Sequence, residues 1–134
     1  MTLYLDASAL IAVVVDSSAR AVVLESLEHD ADWCASALAL SEALAVVPRL
    51  SDEPVLQTDI EDALRLLWDR IAVVPVDQQC LDRAAHIARE QPVHMSDAIH
   101  LAAADRLPRP LSFVTFDASQ IPVALSMGFD VIST

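Results

Sequence analysis

Four acidic residues, each beside or inside an apolar stretch of the sequence, are the strongest candidates for chemistry. Two of them directly follow apolar runs, and the other two belong to apolar segments with helical character. A carboxylate buried without a partner is strongly destabilising or shifts its pKa until it is neutral. A bound cation would remove that penalty for a group of carboxylates. The four residues are Asp6, Glu42, Asp97 and Asp117.

Carboxylate oxygens are the ligands that hard divalent cations prefer, and Mg²⁺ typically binds one or two of them together with waters and phosphate oxygens. A bound ion can activate a water as the nucleophile and can stabilise the leaving oxygen. Two ions about 4 Å apart would do both in an in-line displacement. An acidic pocket could therefore cleave an anionic phosphodiester backbone, provided that a cation lies between the two.

Each acid taken alone also has an ordinary structural explanation. Asp6 and Asp117 could cap the helices that follow them. Glu42 could lie on a solvated stripe beside Ser41, and Asp97 could simply complement a helix dipole. We favour a shared site because a parallel sheet gathers its ligands outside the carboxyl ends of its strands.

Two histidines and one arginine are secondary candidates. His94 and His100 flank Asp97, and they could take part in acid–base chemistry or bind metal. A surface or packing role is the more common explanation for such histidines. Arg49, just beyond the helix that carries Glu42, is the first choice among the arginines for a phosphate contact, because a guanidinium matches phosphate geometry.

Composition excludes several classes of site. The chain of 134 residues has one glycine, Gly128, so it holds neither a GxGxxG fingerprint nor a Walker A loop. It has no lysine, which excludes Schiff-base chemistry and counts against phosphatases of the haloacid dehalogenase or receiver type. Twenty Asp and Glu against eight Lys and Arg give a net charge of −12, which argues against a simple basic nucleic-acid binder.

Nothing in the sequence indicates export or a membrane span. Cys34 and Cys80 are too few and too far apart for a disulfide framework or a metal knuckle. The N-terminus lacks the features of a signal peptide, and no stretch of about 20 apolar residues is free of charges. We therefore expect a cytoplasmic protein with reduced thiols and no contact with a membrane.

Local patterns predict alternating strands and helices over a single domain, 1–134. The predicted helix N-caps are Asp16 or the two serines after it, Thr58 in a capping box with Glu61, Asp77, and Ser96. Pro48 is expected to end the helix before it, and Pro75 to place its strand at a sheet edge or to lie at the end of that strand. The predicted strands are 2–5, 33–34, 71–76, 112–116 and 130–133. The predicted helices are 18–29, 35–47, 58–70, 78–90 and 97–106, with a short helix before Gly128 at a C-cap position.

This alternation is typical of an α/β fold in which a central parallel sheet of about five short strands is flanked by helices. In such a sheet the first strand ends at Asp6 and the strand 112–116 ends at Asp117. The sequence therefore predicts that these two acids lie at the ligand-binding edge.

Motifs along the whole chain resemble those of the PIN-domain ribonucleases, and the size and layout are similar to the VapC-type toxins of toxin–antitoxin pairs. The order of the acids is fairly specific. It consists of an acid at a strand end, a Glu on a helix, an Asp at a helix start and a further Asp at a strand end. The matching segments are LYLDASAL (3–10), SEAL (41–44), SDAIHLAAA (96–104) and VTFD (114–117), followed by a helix and G-x-D-V.

The resemblance implies that the four acids bind Mg²⁺ or Mn²⁺ and that the reaction is endonucleolytic cleavage of RNA. Ser8 and Thr115 match small hydroxyl positions beside the first and last acids, where they would support the ligands or contact phosphate. The implied partners are a small antitoxin, whose C-terminal segment blocks the site, and a second copy of the chain in a homodimer. The alternative is a catalytically silent PIN-like module that only binds a partner.

Overall fold

The structure of the protein, a computed structural model, describes residues 2–15, 17–29 and 32–133. These residues form a parallel sheet with helices on both faces, as the alternating pattern predicts. The strands are β1 (Thr2–Leu5), β2 (Asp32–Ser36), β3 (Ala72–Val74), β4 (Leu111–Val114) and β5 (Asp130–Ile132). The helices are α1 (Ala7–Val14), α2 (Ser18–His29), α3 (Ala37–Leu50), α4 (Pro54–Trp68), α5 (Gln78–Glu90), α6 (Met95–Asp105) and α7 (Ile121–Ser126).

The sheet has the strand order β3-β2-β1-β4-β5, and every pairing is parallel. From β1 the chain extends the sheet first towards β3, and it then returns to add β4 and β5 on the other side. The direction of winding therefore reverses between β1 and β4. A crevice at such a switch point, outside the carboxyl ends of the strands, is where open α/β sheets bind ligands.

Alternation along the central strand separates two hydrophobic layers. Leu3 and Leu5 face one layer, which is packed with residues of α1 to α4, while Tyr4 faces the other, which is packed with residues of α5 to α7. Tyr4 and the neighbouring Phe113 of β4 stack with their ring centroids 5.1 Å apart. The two layers bury β1 and β4 completely, so the backbone at the switch point is firmly held.

One helix was not predicted. α1 begins directly after Asp6, whose side chain accepts a hydrogen bond from the backbone N–H of Ala9 at 2.9 Å. The run 9–15 is apolar on nearly all sides, so it lacks the helical periodicity that marks a surface helix. The cap shows that the ordinary structural explanation for Asp6, a helix N-cap, holds.

Several predicted helix ends were wrong, and prolines account for two of them. α3 continues through Pro48 and ends two residues later, at Leu50, because a proline in the last turn removes only one late hydrogen bond. α4 begins at Pro54, whose fixed φ suits the first helical position. The Thr58 hydroxyl therefore lies inside this helix and bonds back to the Pro54 carbonyl, so the predicted capping box is absent.

The start of α6 also differs from the prediction. His94, not Ser96, occupies the N-cap, and it makes no side-chain capping bond. Asp97 consequently lies third in the helix rather than first, still within the first turn. The predicted caps at Asp77 and Gly128 are confirmed, since Asp77 accepts from Cys80 N at 2.9 Å and Gly128 has φ +85° just past α7. The predicted cap at Asp16 lies outside the described residues.

Both alternatives predicted from Pro75 hold, because β3 is the last strand on its side of the sheet and ends at Val74, directly before the proline. The other strands agree with prediction to within a few residues at each end. Among the described residues no single helix is long and apolar enough to cross a membrane. Only α1 and α2 taken together, across a bend of 101°, reach the length and composition that a span requires.

Candidate active site

The first and last predicted acids follow the two neighbouring strands at the switch point. The backbone N–H of Asp6 donates to the carbonyl of Val114, the last residue of β4, at 3.3 Å. Thr115 and Asp117 then continue the chain beyond β4. The predicted proximity of Asp6 and the end of the fourth strand is thus a direct consequence of the parallel β1–β4 pairing.

Both oxygens of the Asp6 carboxylate are held by hydrogen bonds. Oδ1 accepts from Ser8 Oγ at 2.6 Å and from Ala9 N at 2.9 Å. Oδ2 accepts from Thr115 Oγ1 at 2.5 Å and from Gln120 Nε2 at 3.0 Å. Asp6 is buried, and burial raises its pKa, while the bonds from Ser8 and Thr115 act in the opposite direction. The orientation of this carboxylate is therefore fixed by its neighbours.

Ser8 and Thr115 also hold the loop that carries Asp117. Thr115 Oγ1 accepts from the Asp117 N–H at 3.1 Å, and Ser8 Oγ accepts from the Phe116 N–H at 2.9 Å. Each hydroxyl donates to Asp6 and accepts from the chain after β4. These two hydroxyls, which the family motifs singled out, join the first acid to the last.

Asp97 and Asp117 meet at a single hydroxyl. Ser119 Oγ lies 2.7 Å from Asp117 Oδ1 and 3.3 Å from Asp97 Oδ2, and its one proton must be shared between them. The Ser119 N–H also donates to Asp117 Oδ1, at 2.9 Å. Asp97 is buried, and its pKa is raised first by burial and then by the charges of Asp117 and Asp6. The three aspartates therefore share one electrostatic environment.

Glu42 reaches the site through a histidine. Its Oε1 lies 2.5 Å from Nε2 of His100, which is only 1% exposed, whereas about a third of the Glu42 side chain is exposed. Asp97 and His100 lie three residues apart on the same face of α6. Glu42 is thus joined to the helix that carries Asp97, but no hydrogen bond links it directly to an aspartate within the described residues.

Arg49 and His94 lie apart from these contacts. Arg49 is exposed in the last turn of α3, about 10 Å along the helix axis from Glu42 at 1.5 Å per residue. His94 is the N-cap of α6, two residues before the first of the α6 groups that enter the site. Ser119 and Gln120, which hold the aspartates, were missed, because the sequence after VTFD contains no recognised ligand motif.

The chemistry of this donor set fits a hard divalent cation. The convergent groups are carboxylate oxygens, and two of the three aspartates have a pKa raised by burial or mutual repulsion, which a cation would relieve. The buried Gln120 Oε1 accepts no hydrogen bond from the described residues. No three Asp, Glu, His or Cys side chains within the described ranges are already spaced to hold an ion. Binding would therefore require some of these carboxylate side chains to rotate towards a common point.

Comparison with solved structures gives the same fold. A DNA-bound VapBC from Salmonella typhimurium superposes with a TM-score of 0.73 at 18% identity, covering 99% of this chain and 98% of that one. VapBC2 from Rickettsia felis, bound to a promoter DNA fragment, gives 0.72 at 13% identity with 100% and 99% covered. VapBC-5 from Mycobacterium tuberculosis, of a family of toxin–antitoxin systems, gives 0.68 at 17% identity with 99% and 98% covered.

No curated protein matches the sequence. The family of PIN domains does match, over residues 3–124, which is nearly the whole chain. The matched region includes all four predicted acids and the hydroxyl residues that connect them. The five-stranded parallel sheet of this single α/β domain and the match of its sequence therefore lead to one conclusion: the chain belongs to the PIN-domain family.

Proposed function

We propose that this protein is a metal-dependent endoribonuclease that acts as the toxin of a toxin–antitoxin pair. The observation that carries the proposal is the convergence of Asp6, Asp97 and Asp117 from three different elements at the switch point. The Thr115 hydroxyl connects Asp6 with Asp117, and the Ser119 hydroxyl connects Asp117 with Asp97. Membership of the PIN-domain family supports the reaction class. The silent interaction module explains less, because it has no need of buried carboxylates that repel one another.

Asp6, Asp97 and Asp117, with Glu42 beside them, would hold Mg²⁺ or Mn²⁺. When bound, the metal supplies Lewis-acid activation of a water and stabilisation of the leaving oxygen. Ser8, Thr115 and Gln120 fix the orientation of Asp6 through hydrogen bonds to its carboxylate, and one of these donors would have to give way for an oxygen of Asp6 to bind the ion.

The residues around the crevice must also bind an anionic backbone. Within the described part of the chain the Asp117 carboxylate accepts hydrogen bonds through Oδ1 alone, from Ser119, so Oδ2 would be the oxygen that binds the ion. Arg49 is exposed on the same helix as Glu42 and could contact a substrate phosphate. A net charge of −12 otherwise repels RNA, so binding depends on the cation and on the few arginines.

The proposed partners are an antitoxin and a second copy of the chain. The structural neighbours include complexes from toxin–antitoxin systems. An acidic crevice favours a cationic segment, and an antitoxin arginine between the carboxylates would replace the metal charge. The acidity of the whole chain thus suits a basic protein partner better than bare RNA. The protein is proposed to act in the cytoplasm, where its RNA substrate is found.

Expression without an antitoxin tests the proposal. Wild type should arrest growth and produce new RNA ends, which sequencing shortly after induction would map. Asp97→Asn should do neither, because its neutral amide removes one of the negative charges that would bind the cation. Asp62→Asn is a matched control: it makes the same chemical change at an exposed position on α4 and should behave as wild type.

Two results would contradict the proposal. One is equal growth arrest by wild type and Asp97→Asn. The other is RNA cleavage by the purified protein that survives EDTA. A silent module would instead bind its partner and leave the RNA intact under every condition.

A further inference from the structure

A buried chain of hydrogen bonds runs from Glu42 into the core. His100 Nε2 contacts Glu42 Oε1 at 2.5 Å, and His100 Nδ1 lies 2.9 Å from the hydroxyl of Tyr4. That hydroxyl in turn accepts from the backbone N–H of Ser36 at 3.2 Å. Tyr4 and Ser36 are fully buried, and His100 is nearly so. This chain of hydrogen bonds therefore connects a partly exposed carboxylate to the backbone at the end of β2.

The donors along this chain determine which imidazole nitrogen carries the proton. The Ser36 N–H can only donate, so the Tyr4 oxygen accepts there and has its own O–H left to donate. Burial raises the pKa of Tyr4 far above its ordinary value, and the phenol therefore keeps that proton. His100 Nδ1, 2.9 Å from the phenol oxygen, is placed to accept that proton, and Ser36 Oγ, a second hydroxyl, lies 3.5 Å from the same nitrogen. This arrangement favours Nδ1 as the acceptor.

We infer that His100 is a positioning residue that carries its proton on Nε2, donates it to Glu42 Oε1, and so holds Glu42 oriented for the divalent cation. Tyr4 sets this tautomer by donating its hydroxyl proton to His100 Nδ1. The inference rests on the proposed function, since it assigns Glu42 to the metal site. It explains why a buried histidine with a specific hydrogen-bonding pattern lies three residues after Asp97.

The position of His100 couples two parts of the site. α6 carries Asp97 in its first turn, and one turn later it carries the residue that holds Glu42 of α3. One rigid helix therefore fixes the relative positions of an acid of its own and an acid of its neighbour. With Oε1 occupied by the imidazole, Glu42 Oε2 is left for the ion. Groups that orient ligands in this way typically contribute about 10- to 100-fold to metal affinity.

The tautomer can be read directly in the metal-free protein. Long-range proton–nitrogen NMR spectra distinguish a protonated Nε2 from a protonated Nδ1 in each histidine. We expect the Nε2–H form for His100, and a mixture of tautomers in Tyr4→Phe, which lacks the hydroxyl donor. A predominant Nδ1–H form in the wild-type protein would overturn the inference, whatever the activity of the protein.

Metal affinity tests the positioning role. His100→Gln keeps an N–H near the position of Nε2 and should retain most of the Mn²⁺ affinity measured by calorimetry. His100→Asn keeps a polar group facing Tyr4 but cannot reach Glu42, and it should bind Mn²⁺ about 10- to 100-fold more weakly. Equal affinity in wild type and His100→Asn, or equal loss in the two variants, would overturn the inference.

A second histidine provides the control. His86 pairs with Glu90 through the same atoms at 3.3 Å, but on the exposed face of α5. His86→Asn should therefore leave Mn²⁺ affinity unchanged. The two proposals also fail separately. A protein that binds Mn²⁺ with the predicted pattern but cleaves no RNA would contradict the ribonuclease proposal and leave the role of His100 intact.

Discussion

The Thr115 hydroxyl makes two contacts that no apolar side chain of similar shape can replace. It donates to Asp6 Oδ2 and accepts from the Asp117 N–H. Thr115 is fully buried, so no water could easily substitute for it. The end of β4 and the first acid are therefore held together by one small hydroxyl group.

Replacing Thr115 with Val should be costly to both stability and activity. The change leaves a buried carboxylate oxygen and a backbone N–H without this partner, at an expected cost of about 1–3 kcal/mol in the free energy of unfolding. Urea titration measures this loss, and RNA cleavage should fall in parallel because Asp6 is no longer fixed. Thr115→Ser retains the hydroxyl and should lie close to wild type. A Val variant as stable and active as the Ser variant would refute the role.

Neutralising Asp97 should have the opposite effect on stability. Burial and the neighbouring carboxylates disfavour its charge in the folded protein, and Asn keeps its size and an oxygen that can accept from Ser119. In EDTA at neutral pH, Asp97→Asn should therefore raise the free energy of unfolding by on the order of 1 kcal/mol, a common result where function has strained a site. A variant less stable than wild type in EDTA would show that the repulsion is unimportant.

The sequence predicted the acids of the candidate site but not the groups that form hydrogen bonds with them. Asp6 and Asp117 could be found because each directly follows an apolar strand, which is a local pattern. Tyr4 and His100, in contrast, are separated by 96 positions, and Gln120 lies 114 positions from Asp6. Such pairs are created by strand order and helix packing. No local pattern records them, so the sequence offered acid–base chemistry, metal binding or packing for His100 and gave no sign of its contacts with Tyr4 and Glu42.

At the scale of elements, some helix ends were predicted correctly and others were not. Asp77 caps α5 and also contacts Arg106 Nη1 at 2.8 Å, so both the local pattern and the tertiary contact agree with the prediction. Pro48 and Pro54 show the opposite case. Proline usually interrupts helices, so we expected one helix to end before Pro48 and the next to begin at Thr58, but α3 includes Pro48 in its last turn and α4 begins at Pro54.

The cap of α5 makes a pH-dependent contribution to stability. The pKa of Asp77 is lowered, first by the backbone bond from Cys80 and then by Arg106. A carboxyl whose pKa is depressed in the folded state stabilises the protein above its unfolded pKa, and that contribution is lost as pH falls through the folded value. Asp77→Asn should therefore be less stable than wild type at neutral pH, and thermal melts should show the difference shrinking below about pH 4.

Asp82 provides the comparison for this measurement. It is exposed on the same helix, and Asp82→Asn should show little pH-dependent difference from wild type. A stability gap between Asp77→Asn and wild type that stays constant from neutral to acidic pH would mean that the cap acts without its charge.

Gly128 ends α7 in a conformation that other residues avoid. Its φ is +85°, and a Cβ placed there would lie 3.5 Å from Arg109 Nη1, an ordinary contact. The cost of Gly128→Ala should therefore come from the backbone alone, roughly 1–2 kcal/mol. Gly128→Asn should cost less, since Asn tolerates positive φ. Chemical denaturation of the two variants tests the order, and an Ala variant no less stable than the Asn variant would contradict it.

For the molecule as a whole, the alternation of strands and helices was sufficient to predict a parallel sheet with helices on both faces. The order β3-β2-β1-β4-β5 was not predicted, because it depends on which side of β1 the chain returns to after α6. That return places β4 beside β1, and it is the step that brings Asp117 to Asp6. Fold class is therefore encoded locally, whereas the site is created by topology.

The net charge of −12 acts on the whole molecule as well as on the site. Four arginines pair with carboxylates among the described residues, at Glu61, Asp77 and, for two of them, Asp105. Most acids are left without such a partner, and their mutual repulsion opposes the compact state. Cations can relieve this repulsion in two ways, by diffuse screening or by binding at the three aspartates.

The two effects can be separated by melting the protein at fixed ionic strength. Raising NaCl from about 10 to 150 mM shortens the Debye length from roughly 30 to 8 Å, so wild type and Asp97→Asn should both gain in Tm. Replacing part of the NaCl by MgCl₂ at the same ionic strength should raise Tm further only in wild type, because an ion that binds the folded state alone stabilises it by mass action. Equal responses of the two proteins to MgCl₂ would show that the acidic crevice attracts cations only through the negative charge of the whole protein. The metal site proposed at Asp6, Asp97 and Asp117 would then be wrong.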